Sequence, residues 1–323
     1  MGYKIVTIIA QKALRLDKTL QEALNQPRNQ VEHFIKEVGV TVDGKQTHKS
    51  GLKLKGGEEI TLEFPEMELS TPEEIDFDID IIYEDEDVLV LNKPPYLIVH
   101  PAASVKEPTL VDWLKHRGIT LSTISGEERN GIVHRIDKET SGAIIIAKNN
   151  EAHQSLSKQL EDRTMGRYYL ALIDLPLKDD MIVDKPIGRH NKHRIKMAVK
   201  ESGRASKSAF TKLALSEKTG HELISAKLFT GRTHQIRVHL ESLSRHILAD
   251  KLYGFKSKKD TIPRVMLHAR ILYFHHPRTG ELIIKEAPLF EDFKSILTDE
   301  FNQEEIDEKI NRDYIIGRFN NII

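Results

Sequence analysis

Residues 143–147, Ala-Ile-Ile-Ile-Ala, form an aliphatic run with no polar interruption, and a loop dense in ionisable groups leads straight into it. A short run of this kind bounded by turn residues reads as a strand buried on both faces. The preceding segment, Gly131-Ile-Val-His-Arg-Ile-Asp-Lys-Glu-Thr-Ser-Gly142, places His134, Arg135 and Asp137 side by side and ends on a small-residue turn. Charged side chains that close to a core strand sit on a rigid support, where reactive groups can be held in position. Asp137 lies between Arg135 and Lys138, and nearby positive charge favours the ionised carboxylate, so it is expected to be available as a nucleophile or base. Taken alone, a His-Arg-x-Asp string reads first as a structural ion pair beside a turn.

At 323 residues the chain has room for one large domain and a small one. Leu16, Leu20 and Leu24 share a helix face, Val31, Phe34, Ile35 and Val38 repeat that spacing, and Gly39 stops the second helix. Val40 to Val42 and Glu59 to Phe64 read as strands, with Asp43-Gly44 as a hairpin turn. This small α+β module ends near residue 64. Residues 65–77 are acidic and punctuated by proline, and read as a linker. From 78 to 295, strands at Val88–Leu91, Ala143–Ala147 and Tyr168–Ile173, with more up to residue 284, outnumber the helices at Leu110–His116 and Ala152–Leu160. Without βαβ alternation, the expectation is an α+β fold, a mixed and mainly antiparallel sheet flanked by helices. Residues 296–323 are highly charged and are expected to form a helical extension, with Glu304 to Ile310 as the terminal helix.

The chain has no cysteine, which removes disulfides, thiolate metal sites and a thiol nucleophile. It has no apolar run of membrane-spanning length, so no membrane partner is expected. The lack of cysteine fits a cytoplasmic protein, and a monomer is expected. The net charge of −1 conceals segregation: eleven acids and no Lys or Arg between Glu66 and Asp87, but nine Lys or Arg against one acid between Lys185 and Lys212. The basic block, which includes Arg189 and Lys196, is a candidate phosphate-binding surface or simply a solvated hairpin. No phosphate-binding glycine loop or dinucleotide fingerprint occurs, so no cofactor is expected. Thr230-Gly-Arg-Thr-His-Gln-Ile-Arg-Val-His239 concentrates Arg232, His234, Arg237 and His239. His234 and His239 are five apart with no carboxylate or thiolate in register, so a metal site is not expected there.

Several of these blocks match a known pattern together. Residues 134–142 resemble the His-Arg-Leu-Asp-x-x-Thr-Ser-Gly signature of the RluA-type RNA pseudouridine synthases, with Ile136 in place of Leu. Tyr83 to Pro101, Arg167-Tyr-Tyr-Leu-Ala171, Gly231 to Arg237, Ala249-Asp-Lys-Leu-Tyr-Gly254, Leu267-His-Ala269 and His276-Pro277 follow in the family's order, so the resemblance spans residues 81 to 290. Pro186-Ile-Gly-Arg-His190 with Lys196-Met-Ala-Val199 is similar to the RluD- and RluC-like branch that modifies large-subunit ribosomal RNA. Arg15-Leu-Asp-Lys-Thr-Leu20, Arg28, Gly39–Gly44 and Leu52–Gly57 resemble the S4 RNA-binding module.

The resemblance implies isomerisation of uridine to pseudouridine, most readily in 23S ribosomal RNA, with a tRNA loop as the alternative. It implies Asp137 as the catalytic carboxylate and Tyr169, rather than Tyr168, as the pocket tyrosine. Arg237 is implied as the partner of Asp137, with Arg232 second. His134, Arg135, Arg232, His234, Arg189 and Lys196 are the expected substrate contacts, and Arg15, Arg28, Lys45, Lys49, Lys53 and Lys55 the expected RNA contacts of the N-terminal module. Whether Asp137 adds to the sugar or assists formation of a glycal stays open. Two other classes are open to such a chain: an idle RNA-binding protein, which intact Asp137, Tyr169 and Arg237 argue against, and a glycosidase-like enzyme, which needs a second carboxylate. The Ala at 249, where the family has Gly, is expected to leave the chemistry untouched.

Overall fold

The computed structural model describes residues 3–24, 28–65, 75–101, 105, 107–124, 130–256, 262–320 and 322. The chain divides into two compact units, Met1–Thr71 and Pro72–Ile323. The expected linker at 65–77 lies mostly outside the described residues.

In the first unit, β1 (Tyr3–Ile9), α1 (Leu16–Leu24), α2 (Arg28–Glu37), β2 (Val40–Val42), β3 (Lys45–Thr47) and β4 (Glu59–Pro65) build a four-stranded antiparallel sheet in the order β1-β4-β2-β3. Leu16, Leu20, Val31 and Ile35 project from the two helices onto Val40, Ile60 and Leu62, so the helix spacing seen in the sequence is the packing face. Asp43 and Gly44 both have positive φ, 47° and 76°, as a two-residue hairpin between β2 and β3 requires.

The second unit contains β5 (Asp80–Glu84), β6 (Val88–Lys93), α3 (Leu110–His116), β7 (Ser141–Ala147), α4 (Asn150–Asp162), β8 (Gly166–Ile173), β9 (Met181–Asp184), β10 (Ile187–Arg189), β11 (Met197–Val199), β12 (Lys207–Leu215), β13 (Glu222–Leu228), α5 (Gln235–Glu241), β14 (Leu267–His275), β15 (Leu282–Glu286), α6 (Glu291–Glu300), α7 (Gln303–Lys309) and α8 (Arg312–Asn320). Its main sheet has nine strands, in the order β5-β6-β7-β14-β8-β13-β12-β9, with β15 also on β14. The β7–β14 pair is parallel and the others are antiparallel, so the expected mixed, mainly antiparallel sheet is present. Every position of β7 is buried because both faces are covered. Ile144 and Ile146 pack toward Trp113 and Leu114 of α3, while Ala143, Ile145 and Ala147 pack toward Ala152 and Leu156 of α4.

The expected C-terminal extension is part of the core. The 295/296 boundary falls inside α6, and α8 follows the helix that was expected to be terminal. Phe293, Leu297, Ile306, Ile315 and Phe319 are all buried in the same cluster as β8 and β14, and the Phe319 ring lies 5.2 Å from that of Tyr168.

Candidate active site

The loop before β7 is fixed at its β7 end by buried contacts. Gly142 has φ of +108°, and a Cβ there would fall 2.3 Å from the Ala269 carbonyl oxygen, so only glycine lets β7 approach β14 at this point. One residue earlier, the Ser141 hydroxyl lies 2.9 Å from His268 Nδ1, and the opposite ring nitrogen reaches the Ala287 carbonyl at 3.2 Å. Burial drives the His268 pKa down to about 3, so the ring is neutral and acts as a strut.

Two buried cations hold the loop from beneath. The Lys93 ammonium donates to the carbonyls of Pro94, Leu97 and Lys138 at 2.7, 2.9 and 3.2 Å. Burial, with the nearby charge of Arg264, lowers its pKa to about 7, and Asp137 opposes the shift. Arg264 donates to the Glu139 carbonyl at 3.3 Å and grips Asp292 of α6 with two bonds of 2.6 and 2.9 Å. In the sequence Lys93 stands inside a matched block with no role attached, and Arg264 lies outside every matched block.

The Asp137 side chain, 21% exposed, sits at a cleft of about 660 Å³ lined by residues of the loop, α4, β8, β13 and the segment before α5. Its sequence neighbours turn elsewhere: Lys138 pairs with Glu107 at 2.7 Å and Arg135 reaches toward His100 at 3.4 Å. Its cation comes instead from a hundred residues away. Arg237 Nη1 donates to Asp137 Oδ2 at 3.3 Å, while Nε and Nη2 take both oxygens of Asp250 at 2.7 and 2.8 Å. Burial works against the Arg237 charge, but the bonds and charges of Asp250 and Asp137 outweigh it and raise the pKa above the ordinary arginine value. Asp250 therefore orients the arginine. In the sequence Asp250 stands inside the matched block Ala249–Gly254 with nothing to mark it.

His234 lies on the other side, with Nε2 3.9 Å from Asp137 Oδ2. The Tyr253 hydroxyl accepts from the Met197 amide at 2.9 Å and lies 2.8 Å from His234 Nδ1. Burial lowers the ring's pKa. His239 does not join it, since its nitrogens face the Ser208 hydroxyl and the Lys185 carbonyl. Among the described residues, Asp85, Asp87 and His276 could geometrically hold a metal ion. They are instead tied into a network in which Arg278 binds Asp87 with two bonds of 2.8 Å.

Tyr169 lines the cleft, whereas Tyr168, next along β8, packs on Tyr273 and Phe319. Burial raises the Tyr169 pKa, so its hydroxyl stays protonated near neutrality. His134, Arg135 and Arg232 also line the cleft, joined by Arg167, which the sequence shows only as the first residue of a matched block, and by Arg163 and Arg204, which no motif marks. Arg189 and Lys196 do not line it. Lys196 pairs with Glu241 at 2.6 Å and lies over the Tyr253 ring, and Arg189 bonds the Arg194 carbonyl. In the first unit, Arg15 and Arg28 each bind the buried Asp17 through two nitrogens, and Lys45, Lys49, Lys53 and Lys55 are exposed.

Comparison with known proteins gives the family of the chain. Residues 87–242 match the family described as RNA pseudouridylate synthase, and residues 14–60 match the S4 domain. An uncharacterized RNA pseudouridine synthase of Helicobacter pylori strain J99 is 49% identical over 94% of this chain and 95% of its own length. The ribosomal large subunit pseudouridine synthase D of Nitrosomonas europaea is 36% identical over 88% of this chain and 83% of its own. The human RNA pseudouridylate synthase domain containing 1 structure shares the fold, with a TM-score of 0.56 at 24% identity, over 72% of this chain and 94% of its own. The chain is a pseudouridine synthase joined to an S4 domain, and it belongs to the RluA-type family of RNA pseudouridine synthases.

Proposed function

We propose that Asp137 is the carboxylate that acts on the target uridine as nucleophile or base, and that the reaction needs no cofactor. The observation that supports this most is the cleft-facing position of Asp137 on Arg237, an arginine fixed by a second carboxylate. Pseudouridine formation breaks the C1′–N1 bond, turns the uracil and joins C5 to C1′. One proton leaves C5 and one reaches N1, so atoms balance without redox or group transfer. The uridine must leave its stack to enter the cleft, which costs a few kcal/mol. Tyr169 offers a ring for the base to stack on, and its protonated hydroxyl can assist proton movement. Arg135, half out in solvent on the same loop, is placed to take the space the base vacates, and Arg232, His134 and His234 complete the wall.

The substrate we infer is 23S ribosomal RNA, supported by the Nitrosomonas relative's name and by the segment from Pro186 to Val199. The S4 domain would add phosphate contacts from Arg15, Arg28, Lys45, Lys49, Lys53 and Lys55. The enzyme would work as a cytoplasmic monomer. Among the described residues, no helix is long and apolar enough to cross a membrane.

The test is Asp137→Asn, which preserves shape and removes charge. With RNA from a strain lacking the gene, labelled with tritium at uracil C5, tritium release should fall by about a thousandfold or more. RNA affinity and melting temperature should stay at the wild-type level. Release at the wild-type rate sinks the assignment. Pseudouridine mapping of the same RNA should show a site missing from 23S. A site missing only from a tRNA overturns the ribosomal reading and leaves the chemistry standing.

A further inference from the structure

Arg167 is a buried cation without a counter-ion among the described residues. The residue is 6% exposed, and its Nε is out of solvent with no hydrogen-bond partner. Among the described residues no carboxylate lies within ion-pair distance of it, unlike Arg237 and Arg264, which are equally buried and doubly bonded to aspartates. A buried, unpaired guanidinium is costly to the free protein. Its side chain lines the cleft, two residues before Tyr169 on β8 and on the same face, about 7 Å away along the strand. A Cβ at Gly231 would lie 3.6 Å from Arg167 Nη2, so the loop before α5 passes that edge of the guanidinium without a side chain over it.

A second donor lies beside it. The Ile145 amide donates to His134 Nε2 at 3.2 Å, which puts the ring proton on Nδ1. That nitrogen is also out of solvent and without a partner. Burial and the charge of Arg167 hold the His134 pKa well below its usual value, so the ring is neutral and the pair carries a single positive charge.

We propose that Arg167, with His134 Nδ1–H as a second donor, grips a backbone phosphodiester of the nucleotide whose base enters the cleft. This rests on the reading that the uracil stacks at Tyr169. A uracil carbonyl would satisfy the hydrogen bonds but leave the buried charge uncompensated, whereas a phosphodiester supplies both the acceptors and the opposite charge. The separation of Arg167 from Tyr169 is also the kind of span that parts a base from its own phosphate.

The experiment uses the full chain and two neutral-base probes, the dinucleotide UpU and its uncharged methylphosphonate analogue, with binding read by calorimetry. Wild-type protein should bind UpU about tenfold more tightly than the analogue. Arg167→Met should bind both with the weak affinity of the analogue, and Arg167→Lys should keep part of the preference. The melting temperature of unliganded Arg167→Met should equal or exceed that of the wild type, because a buried charge without a partner has been removed. Unchanged binding of both probes overturns the proposal. An equal loss on both probes also overturns it, pointing to a base contact if melting is unaffected and to a structural role if melting falls. Binding is measured without turnover, so this result is independent of what Asp137→Asn shows.

Discussion

The two units carry charge clusters of opposite design. In the S4 domain a fully buried acid, Asp17, is shared by two arginines, Arg15 and Arg28, whose side chains stay 43% and 44% exposed. In the catalytic unit a buried arginine, Arg237, is shared by two acids, Asp250 at 1% and Asp137 at 21% exposure. The buried member is the anchor and the exposed members are what the cluster presents. One domain therefore shows guanidinium groups to its surroundings, and the other shows a carboxylate to a cleft. Desolvating the anchor is offset by bidentate bonds in both cases, at geometry good enough to hold the presented group still.

The strongest way to break this comparison is to remove an anchor in the catalytic unit. Arg237→Met should lower turnover at least about a hundredfold, since Asp137 loses its placement. It should also cost about 3 kcal/mol of stability by leaving Asp250 buried and unpaired. The double variant Arg237→Met/Asp250→Leu should recover the melting temperature but not the turnover. Asp250→Asn, which keeps Arg237 and loses one charge-assisted bond, should reduce kcat by about tenfold with RNA affinity unchanged. If Asp250→Asn has wild-type kcat, Asp250 does not orient the arginine.

The corresponding change in the S4 domain should have the opposite profile. Asp17→Asn should cost that domain about 2 kcal/mol, because the half-exposed arginines can relax into water, and leave kcat at saturating RNA untouched. Burial raises the Asp17 pKa, but bonds from Arg15 and Arg28 more than reverse this, lowering it from 3.8 to about 2. A depressed carboxylate contributes stability that is complete above its unfolded pKa, so the contribution should hold above about pH 4 and vanish as pH falls through about 2. Melting curves across that window should drop for the wild type and stay flatter for Asp17→Asn. Parallel curves would show that Asp17 is not the anchor.

What could be read from the sequence divides along the same line of local versus distant partners. The unbroken aliphatic run of β7 announced a buried strand, whereas β8 alternates poorly and the choice of Tyr169 over Tyr168 rests on the family resemblance. The sequence neighbours of Asp137, Arg135 and Lys138, point to His100 and Glu107 in the structure. Its partner Arg237 is legible only through the family resemblance, because it lies a hundred residues away and no period within a window of residues encodes that. Lys93 and Arg264 were opaque for the same reason: three carbonyls around an ammonium are chosen by the fold, not by side-chain type. Residues 296–323 read as a charged extension because their buried positions, Leu297, Ile306, Ile315 and Phe319, are sparse among polar neighbours. Each helix there buries a single narrow stripe on the core, too little for composition to reveal.

The smallest expected effect concerns the position where the family pattern has Gly and this chain has Ala. Ala249 adopts φ of 64°, in the left-handed region, immediately before Asp250. For a residue with a Cβ this conformation costs about 1–2 kcal/mol. Replacing it with glycine removes that strain but adds about 0.4–1 kcal/mol of unfolded-chain entropy. The net expectation for Ala249→Gly is a gain of about 0.5–1 kcal/mol, visible as a rise of about 2 °C in the melting temperature of the catalytic unit. Because the backbone stays where it is, Asp250 should keep its grip on Arg237, and kcat should not change. A rise in stability with unchanged kcat would show that the anchor tolerates strain beside it. A fall in kcat would show that the alanine helps to position Asp250, and that the cluster presenting Asp137 extends one residue further than its hydrogen bonds.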